Sequence, residues 1–143
     1  MSDAQTEAEE LVNAVLPHAE GMLIAHGEFF PFGGALTPDG EFAELSVSEE
    51  HRHSPVDVIV EELKSGLRDG VESKDFRATA LVFPIQAELS DDAGDTEAVA
   101  IALDHQANFS VVLIIPYVLS EGAVEFGEAV AQEGAHEIFQ ARH

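Results

Sequence analysis

Two segments of the chain repeat apolar residues at steps of three and four positions. This spacing places the apolar side chains on one face of an α-helix, so each segment predicts an amphipathic helix with one buried stripe. The first segment covers residues 4–27 and the second follows Pro55. The stripes consist of Ala8, Leu11, Val12, Val15, Ala19, Met22 and Leu23 in the first helix, and of Val56, Ile59, Val60, Leu63 and Leu67 in the second.

Proline and glycine positions predict where these helices are interrupted or end. Pro17 lies inside the first helix and has no backbone N–H, so we expect a kink or a break near Leu16. In the second helix, Ser54 is expected to cap the N-terminus and Gly70 to close the C-terminus.

The other apolar residues predict strands. Thr37-Pro38-Asp39-Gly40 has the chemistry of a tight turn, so its flanks predict a β-hairpin. In segments 76–89 and 98–107, every second residue belongs to a mainly apolar set with larger side chains, as in strands that bury one face. Residues 111–115 are apolar at every position, which favours a central strand covered on both faces.

These elements predict an α+β fold in the order helix-strand-strand-helix-strand-strand-strand. Short links between successive strands favour an antiparallel sheet of about five strands, with the two main helices on one or both faces. The length of 143 residues suits a single domain over residues 1–143. Within it, residues 120–143 are expected to form a loosely structured C-terminal tail, with one short strand near residues 124–126.

Alanines recur in two of the predicted strands and are expected to form one face of small side chains. Small side chains let a neighbouring layer come close. We expect that layer to be one of the chain's own helices, and a second copy of the chain in a homodimer is the alternative. The alanines concerned are Ala78, Ala80, Ala98, Ala100 and Ala102.

The charge of the chain narrows the classes of partner. There are 28 acidic side chains against 6 lysines and arginines, a formal net charge of −22. Such a surface repels phosphate backbones and anionic membranes, so nucleic acid and membrane are not expected as partners. The acidity is explained either by a saline environment or by a basic protein partner whose approach is steered by the field.

Other features of the composition indicate a cytoplasmic protein held together by packing. The chain has no cysteine, which excludes disulfides, thiol nucleophiles and cysteine-ligated metal. The N-terminus lacks the basic start and apolar run of a secretory signal, and no apolar stretch is long enough to cross a bilayer. A cytoplasmic location is therefore expected, and no cofactor is predicted.

The segment Gly27-Glu28-Phe29-Phe30-Pro31-Phe32-Gly33-Gly34, continued by Asp39-Gly40, resembles a motif found in small uncharacterised bacterial proteins. The similarity extends loosely to Ile114, Pro116-Tyr117 and Glu125-Phe126-Gly127-Glu128. Because that family has no assigned activity, the resemblance implies a compact bacterial α+β domain and brings no catalytic residue with it.

The same segment is the candidate site for a ligand or partner. Aromatic rings beside paired glycines can form an exposed surface where another chain approaches the backbone closely. The alternative is that the rings fill the core where the first helix meets the hairpin, since phenylalanine is usually buried. The candidate residues are Glu28, Phe29, Phe30, Phe32, Gly33 and Gly34.

A metal site is the other candidate, at His51 and His53. Alternate histidines in an extended loop can present both rings to one ion, and Asp57 could add an oxygen ligand. Against this, Asp57 is explained by helix capping, Arg52 between the rings repels a cation, and no third histidine is near in the sequence.

His105 shares the strand parity of the inward residues Val99, Ile101 and Leu103, so it could reach a pocket. Because it lies at a strand end, it is expected to be a hydrogen-bonded residue at the boundary of the core.

The sequence favours a binding or interaction protein over an enzyme. No nucleophile elbow, phosphate loop, zinc-protease motif or dinucleotide-binding motif is present. One concrete form is an immunity-like or inhibitory partner of a basic protein. The alternatives are a small enzyme or metal-binding protein using His51 and His53 with carboxylates, and a dimeric structural adaptor.

Overall fold

A computed structural model describes residues 4–27, 29–46, 55–73, 76–88, 95–105, 109–120 and 123–134. Two helices and seven strands lie within these ranges, and their order confirms the predicted α+β class. They are α1 (Ala4–His26), β1 (Phe32–Leu36), β2 (Phe42–Ser46), α2 (Val56–Glu72), β3 (Ala78–Glu88), β4 (Asp95–His105), β5 (Phe109–Ser120), β6 (Ala123–Phe126) and β7 (Val130–Glu133).

All the strands belong to one antiparallel sheet with the order β2-β1-β3-β4-β5-β6. β7 pairs with residues 111–114 of β5, and β6 pairs with residues 117–120. β6 and β7 therefore follow each other along the edge of β5 that faces away from β4. The sheet is six strands wide, slightly wider than the five strands that we predicted.

A β-bulge separates β6 from β7. The three residues 127–129 lie opposite only Ile115 and Pro116 of β5, so the edge strand contains one extra residue. The Gly127 N–H donates a hydrogen bond of 2.7 Å to the Pro116 carbonyl oxygen at this point. Such a bulge bends the strand and increases its twist.

The region predicted to be a loose tail contains both of these strands. β6 lies at the short strand expected near residues 124–126, whereas β7 was not predicted. All four residues of β7 are exposed, so its sequence lacks the alternation of buried and exposed residues by which strands are recognised.

Each helix covers a different face of the sheet. On the first face, α1 packs over residues that include Phe32, Val82, Ile101 and Ile115. On the second face, the buried stripe of α2 packs against Leu81. The α1 stripe consists of Ala8, Leu11, Val15, Ala19 and Leu23, and the α2 stripe consists of Ile59, Val60, Leu63 and Leu67.

The predicted break in the first helix and the predicted C-terminus of the second helix were wrong. α1 is a single helix through Pro17, which lies on its exposed side, while Val15 and Ala19 hold the helix to the sheet on either side of it. α2 continues past Gly70 to Glu72, and a Cβ atom at Gly70 would overlap the ring of Phe76. This glycine provides space for an aromatic ring and does not end the helix.

The alanines do not share one face. Ala80 is paired with Leu103 and packs under α1, whereas Ala102 is paired with Leu81 and lies on the α2 side. Ala78 follows the parity of Ala80, and Ala98 and Ala100 follow that of Ala102. The antiparallel register pairs even-numbered residues of β3 with odd-numbered residues of β4, and the sequence alone does not fix that register.

Both helices approach β1 at its paired glycines. A Cβ atom at Gly34 would lie 2.9 Å from Cγ1 of the fully buried Val15 on α1, and 2.8 Å from Phe42. A Cβ atom at Gly33 would lie 3.6 Å from Leu67 on α2, which is ordinary van der Waals contact. Only Gly34 is therefore needed for close packing of a helix.

We expect Gly34→Ala to lower the free energy of unfolding by about 1–3 kcal/mol, because the added methyl group overpacks the α1 side of the core. The matched control is Gly33→Ala, which should be neutral or stabilise the protein by up to about 1 kcal/mol by restricting the unfolded chain. Urea denaturation of the two variants measures the difference. Equal losses at both positions would contradict the assignment of the close contact to Gly34.

Candidate interaction surface

α2 covers only part of its face of the sheet. The helix lies against β1, β2 and β3. Farther along this face, Val118 of β5 is 60% exposed and Val130 of β7 is 44% exposed. Large apolar side chains therefore remain at the surface at the end of the sheet farthest from β2.

The register identifies the residues that share this exposed region. Leu81 belongs to the α2 core and is paired through Ala102 with Val112. Side chains two positions apart in a strand point to the same side, and paired residues do so as well. We use the name open sheet face for the five apolar residues placed by this rule beyond the residues that pack against α2: Ile85, Val112, Ile114, Val118 and Val130. The first three are half-buried, and Val118 and Val130 are exposed.

Carboxylates border the open sheet face along the β6–β7 edge. Glu125 is paired with Val118 and is exposed beside it. Glu128 is exposed in the bulge. Glu133 is exposed at the end of β7, where its pairing with Val111 places it on the α1 side of the strand. The surface thus combines an apolar centre with an acidic border.

A cleft of about 270 Å³ lies where the open sheet face meets α2. Its apolar lining includes Leu81, Phe83 and Val112, and its polar lining includes Asp104 of β4, Ser110 of β5, Lys64 of α2 and Glu133 of β7. Asp104 is buried, and the Lys64 ammonium lies 3.6 Å from the carboxylate of Glu61. This cleft is large enough for a side chain and offers both apolar and charged groups to it.

A buried ionic cluster lies on the opposite face, where α1 begins. The carboxylate of Glu7 is only 4% exposed and accepts two partners. Nε2 of His105 lies 2.6 Å from Glu7 Oε1, and the guanidinium of Arg77 contacts Glu7 Oε2. Arg77 also donates a 3.0 Å hydrogen bond to the carbonyl oxygen of Pro38. The cluster therefore joins α1, the start of β3, the end of β4 and the hairpin turn.

This geometry agrees with the expectation that His105 is a hydrogen-bonded boundary residue, but its partner was not predicted. Glu7 lies one helical turn before Leu11, which is itself one turn before Val15. A glutamate on the buried stripe of a helix signals a buried cation nearby, since an unpaired buried carboxylate is costly. The cluster fastens the start of α1 to the sheet through the contacts of Glu7 with Arg77 and His105.

We expect Arg77→Met to lower the free energy of unfolding by about 3 kcal/mol, because it leaves the Glu7 carboxylate buried without its main positive partner. The double variant Glu7→Gln with Arg77→Met should recover part of this loss. The control is Glu44→Gln, which breaks the exposed 3.1 Å pair between Glu44 and His18 and should cost at most about 1 kcal/mol. Similar losses in the two single variants would exclude a special contribution from the buried cluster.

The structure describes all residues of the predicted ligand site except Glu28. Phe29 and Phe32 are buried in the core beneath α1, and Phe30 is half-buried. Their burial supports the core-filling alternative for these two rings, and the partner-binding role of this segment stays a prediction. Gly33 and Gly34 are buried in β1. Glu28, His51 and His53 lie outside the described residues.

Two further findings apply to the described residues alone. In these ranges, no group of three histidine, aspartate or glutamate side chains is arranged to hold a metal ion. Neither α1 nor α2 is long and apolar enough to cross a membrane.

Comparisons with known proteins gave no match to a family model, a curated protein or a solved structure. The function is therefore argued from the geometry of the described residues.

Tyr117 on β5 belongs to the core beneath α1 and has an unusual environment there. It lines a second small cavity with Pro84, Ile85 and Glu97, and its side chain is mostly buried. Burial, followed by the negative charge and the hydrogen bond of the Glu97 carboxylate, raises the pKa of the Tyr117 phenol above its ordinary value of 10.0.

A spectrophotometric titration should show a midpoint above 10 for Tyr117, and the signal is unambiguous because the chain has one tyrosine and no tryptophan. Glu97→Gln should move the midpoint part of the way back, since it removes the charge but leaves the ring buried. The unfolded chain loses this proton first, so stability should fall as the pH rises above about 10. A midpoint unaffected by Glu97→Gln would contradict the contribution of that carboxylate.

Proposed function

We propose that this protein is an acidic binding protein whose partner is a basic protein docked on the open sheet face. The observation that carries the proposal is the placement of the exposed apolar residues Val118 and Val130 at the edge of the sheet that carries the carboxylates of Glu125 and Glu128. An immunity-like or inhibitory role towards the basic partner is the concrete form that we favour, in the cytoplasm.

The two parts of this surface contribute differently to binding. Burial of the apolar centre supplies affinity, at about 25 cal/mol per Å² of apolar surface before the costs of association. The acidic border and the net charge of −22 steer a cationic protein towards the surface and accelerate association. Such a partner needs an apolar patch surrounded by lysine or arginine.

The same charges disfavour a second copy of the chain as the occupant of this face. In a symmetric dimer each patch meets its own copy, so the borders containing Glu125 and Glu128 would be brought together. Like charges placed across an interface weaken association. A partner of opposite charge is therefore the better fit to the open sheet face.

A matched pair of variants tests the proposal. Val118→Asp places a charge in the open sheet face, and the control Ile24→Asp adds the same charge at a residue of α1 that is 47% exposed. The immobilised wild-type protein should capture basic proteins from cell extract at 150 mM salt. Val118→Asp should weaken the affinity of the captured protein at least tenfold, as for a residue in the centre of an interface, while Ile24→Asp leaves it within about twofold.

The salt dependence of the association rate provides the second readout. Between 50 and 300 mM salt, the rate should fall with a partner that is electrostatically steered. Rates insensitive to salt, or equal effects of the two variants, would overturn the proposal. Light scattering that shows a micromolar dimer abolished by Val118→Asp would instead assign the open sheet face to a second copy of the chain.

A further inference from the structure

Among the strands that the structure describes, β7 forms the outer edge of the sheet beside the open sheet face. It is paired with β5 on one side, and its four residues, Val130–Glu133, are exposed on both faces. An edge strand carries backbone N–H and C=O groups that point away from the sheet and can pair with another strand.

The hydrogen bonds to β5 identify the outward groups. The N–H of Gly134 donates a 3.1 Å bond to the carbonyl oxygen of Ser110, directly across the register of β5 and β7. In an antiparallel ladder, hydrogen-bonded pairs alternate with pairs that are not hydrogen-bonded to each other. Gln132 and Val130 therefore direct their backbone groups towards β5, whereas Ala131 and Glu133 direct theirs outward.

Charge and shape select what can pair with this edge. The exposed carboxylates of Glu128 and Glu133 repel the same edge of a second, equally acidic copy and attract a strand that carries lysine or arginine. The bulge between β6 and β7 interrupts the ladder, so a pairing strand is confined to the length of β7. On one side of that strand, apolar residues would extend the open sheet face beyond Val130.

We propose that the basic partner contributes an extended segment, alternating cationic and apolar residues, that adds as a strand to the outer edge of β7. This inference rests on the proposed function and specifies how the partner binds. Backbone hydrogen bonds to Ala131 and Glu133 provide the docking, and the alternating side chains provide the specificity, as in other cases of strand addition.

Ala131→Pro is the decisive variant, because it removes an outward N–H without removing a hydrogen bond between β5 and β7. Proline is tolerated on an edge strand where the N–H faces solvent. The control is Ala131→Val, which keeps the N–H and favours the strand conformation. Thermal unfolding of both variants verifies that the sheet is intact.

The probe is a fluorescent peptide, Lys-Val-Lys-Val-Lys-Val-Lys, whose affinity is measured by anisotropy at 150 mM salt. We expect Ala131→Pro to weaken binding at least tenfold and Ala131→Val to change it less than twofold. A second peptide, N-methylated at each backbone amide, keeps the charge of its lysines but has no backbone N–H with which to donate a hydrogen bond to β7. It should also bind at least tenfold more weakly. This second arm leaves the protein unaltered and tests the inference even if the proline variant unfolds.

The outcomes separate this inference from the proposed function. Equal affinity for the methylated and unmethylated peptides would overturn strand addition. If capture of the basic partner still depended on Val118 and on salt, the proposed function would stand. Loss of that dependence would overturn both.

Discussion

A wide antiparallel sheet exposes apolar side chains on two faces, and this chain has two helices in the described ranges with which to cover them. α1 has 23 residues and lies along one face from β1 to β6, whereas α2 has 17 residues and covers only β1 to β3 on the other. The unequal coverage leaves apolar residues at the surface, and these residues form the proposed docking site for a partner. The proposed interaction surface is thus a consequence of how the sheet is shielded from water.

The placement of the helices depends on contacts of two kinds. Close packing at Gly34 lets Val15 of α1 reach the backbone of β1. At the start of α1, the carboxylate of Glu7 contacts the guanidinium of Arg77 and Nε2 of His105. A buried ion pair contributes less to net stability than to register, because a helix shifted by one residue would leave the charges unpaired. Together these contacts determine the distance of α1 from the sheet and its rotation about the helix axis.

The fold places some of the many carboxylates beside an exposed apolar surface. Carboxylates distributed along the whole chain become, at one edge, a border around an apolar surface, because the antiparallel register places Glu125 beside Val118. The same charge that keeps two copies apart at an exposed edge strand makes that edge attractive to a basic strand. In the proposed function, avoidance of self-association and selection of a partner are therefore two effects of one distribution of charge.

The sequence by itself determined the two helices, most of the strands and the α+β class, since these depend on local periodicity and on turn residues such as Pro38 and Gly40. It also indicated that His105 lies at the boundary of the core, because strand parity is a local property. Only the tertiary structure decided that the alanines lie on opposite faces, that Pro17 does not break α1 and that Glu7 meets Arg77. Those outcomes depend on strand register and helix placement, which arise from contacts between residues far apart in the chain. β7 also could not be predicted from the sequence. It is held by backbone pairing to β5, and because all four of its side chains are exposed, its sequence shows no alternation of apolar and polar residues.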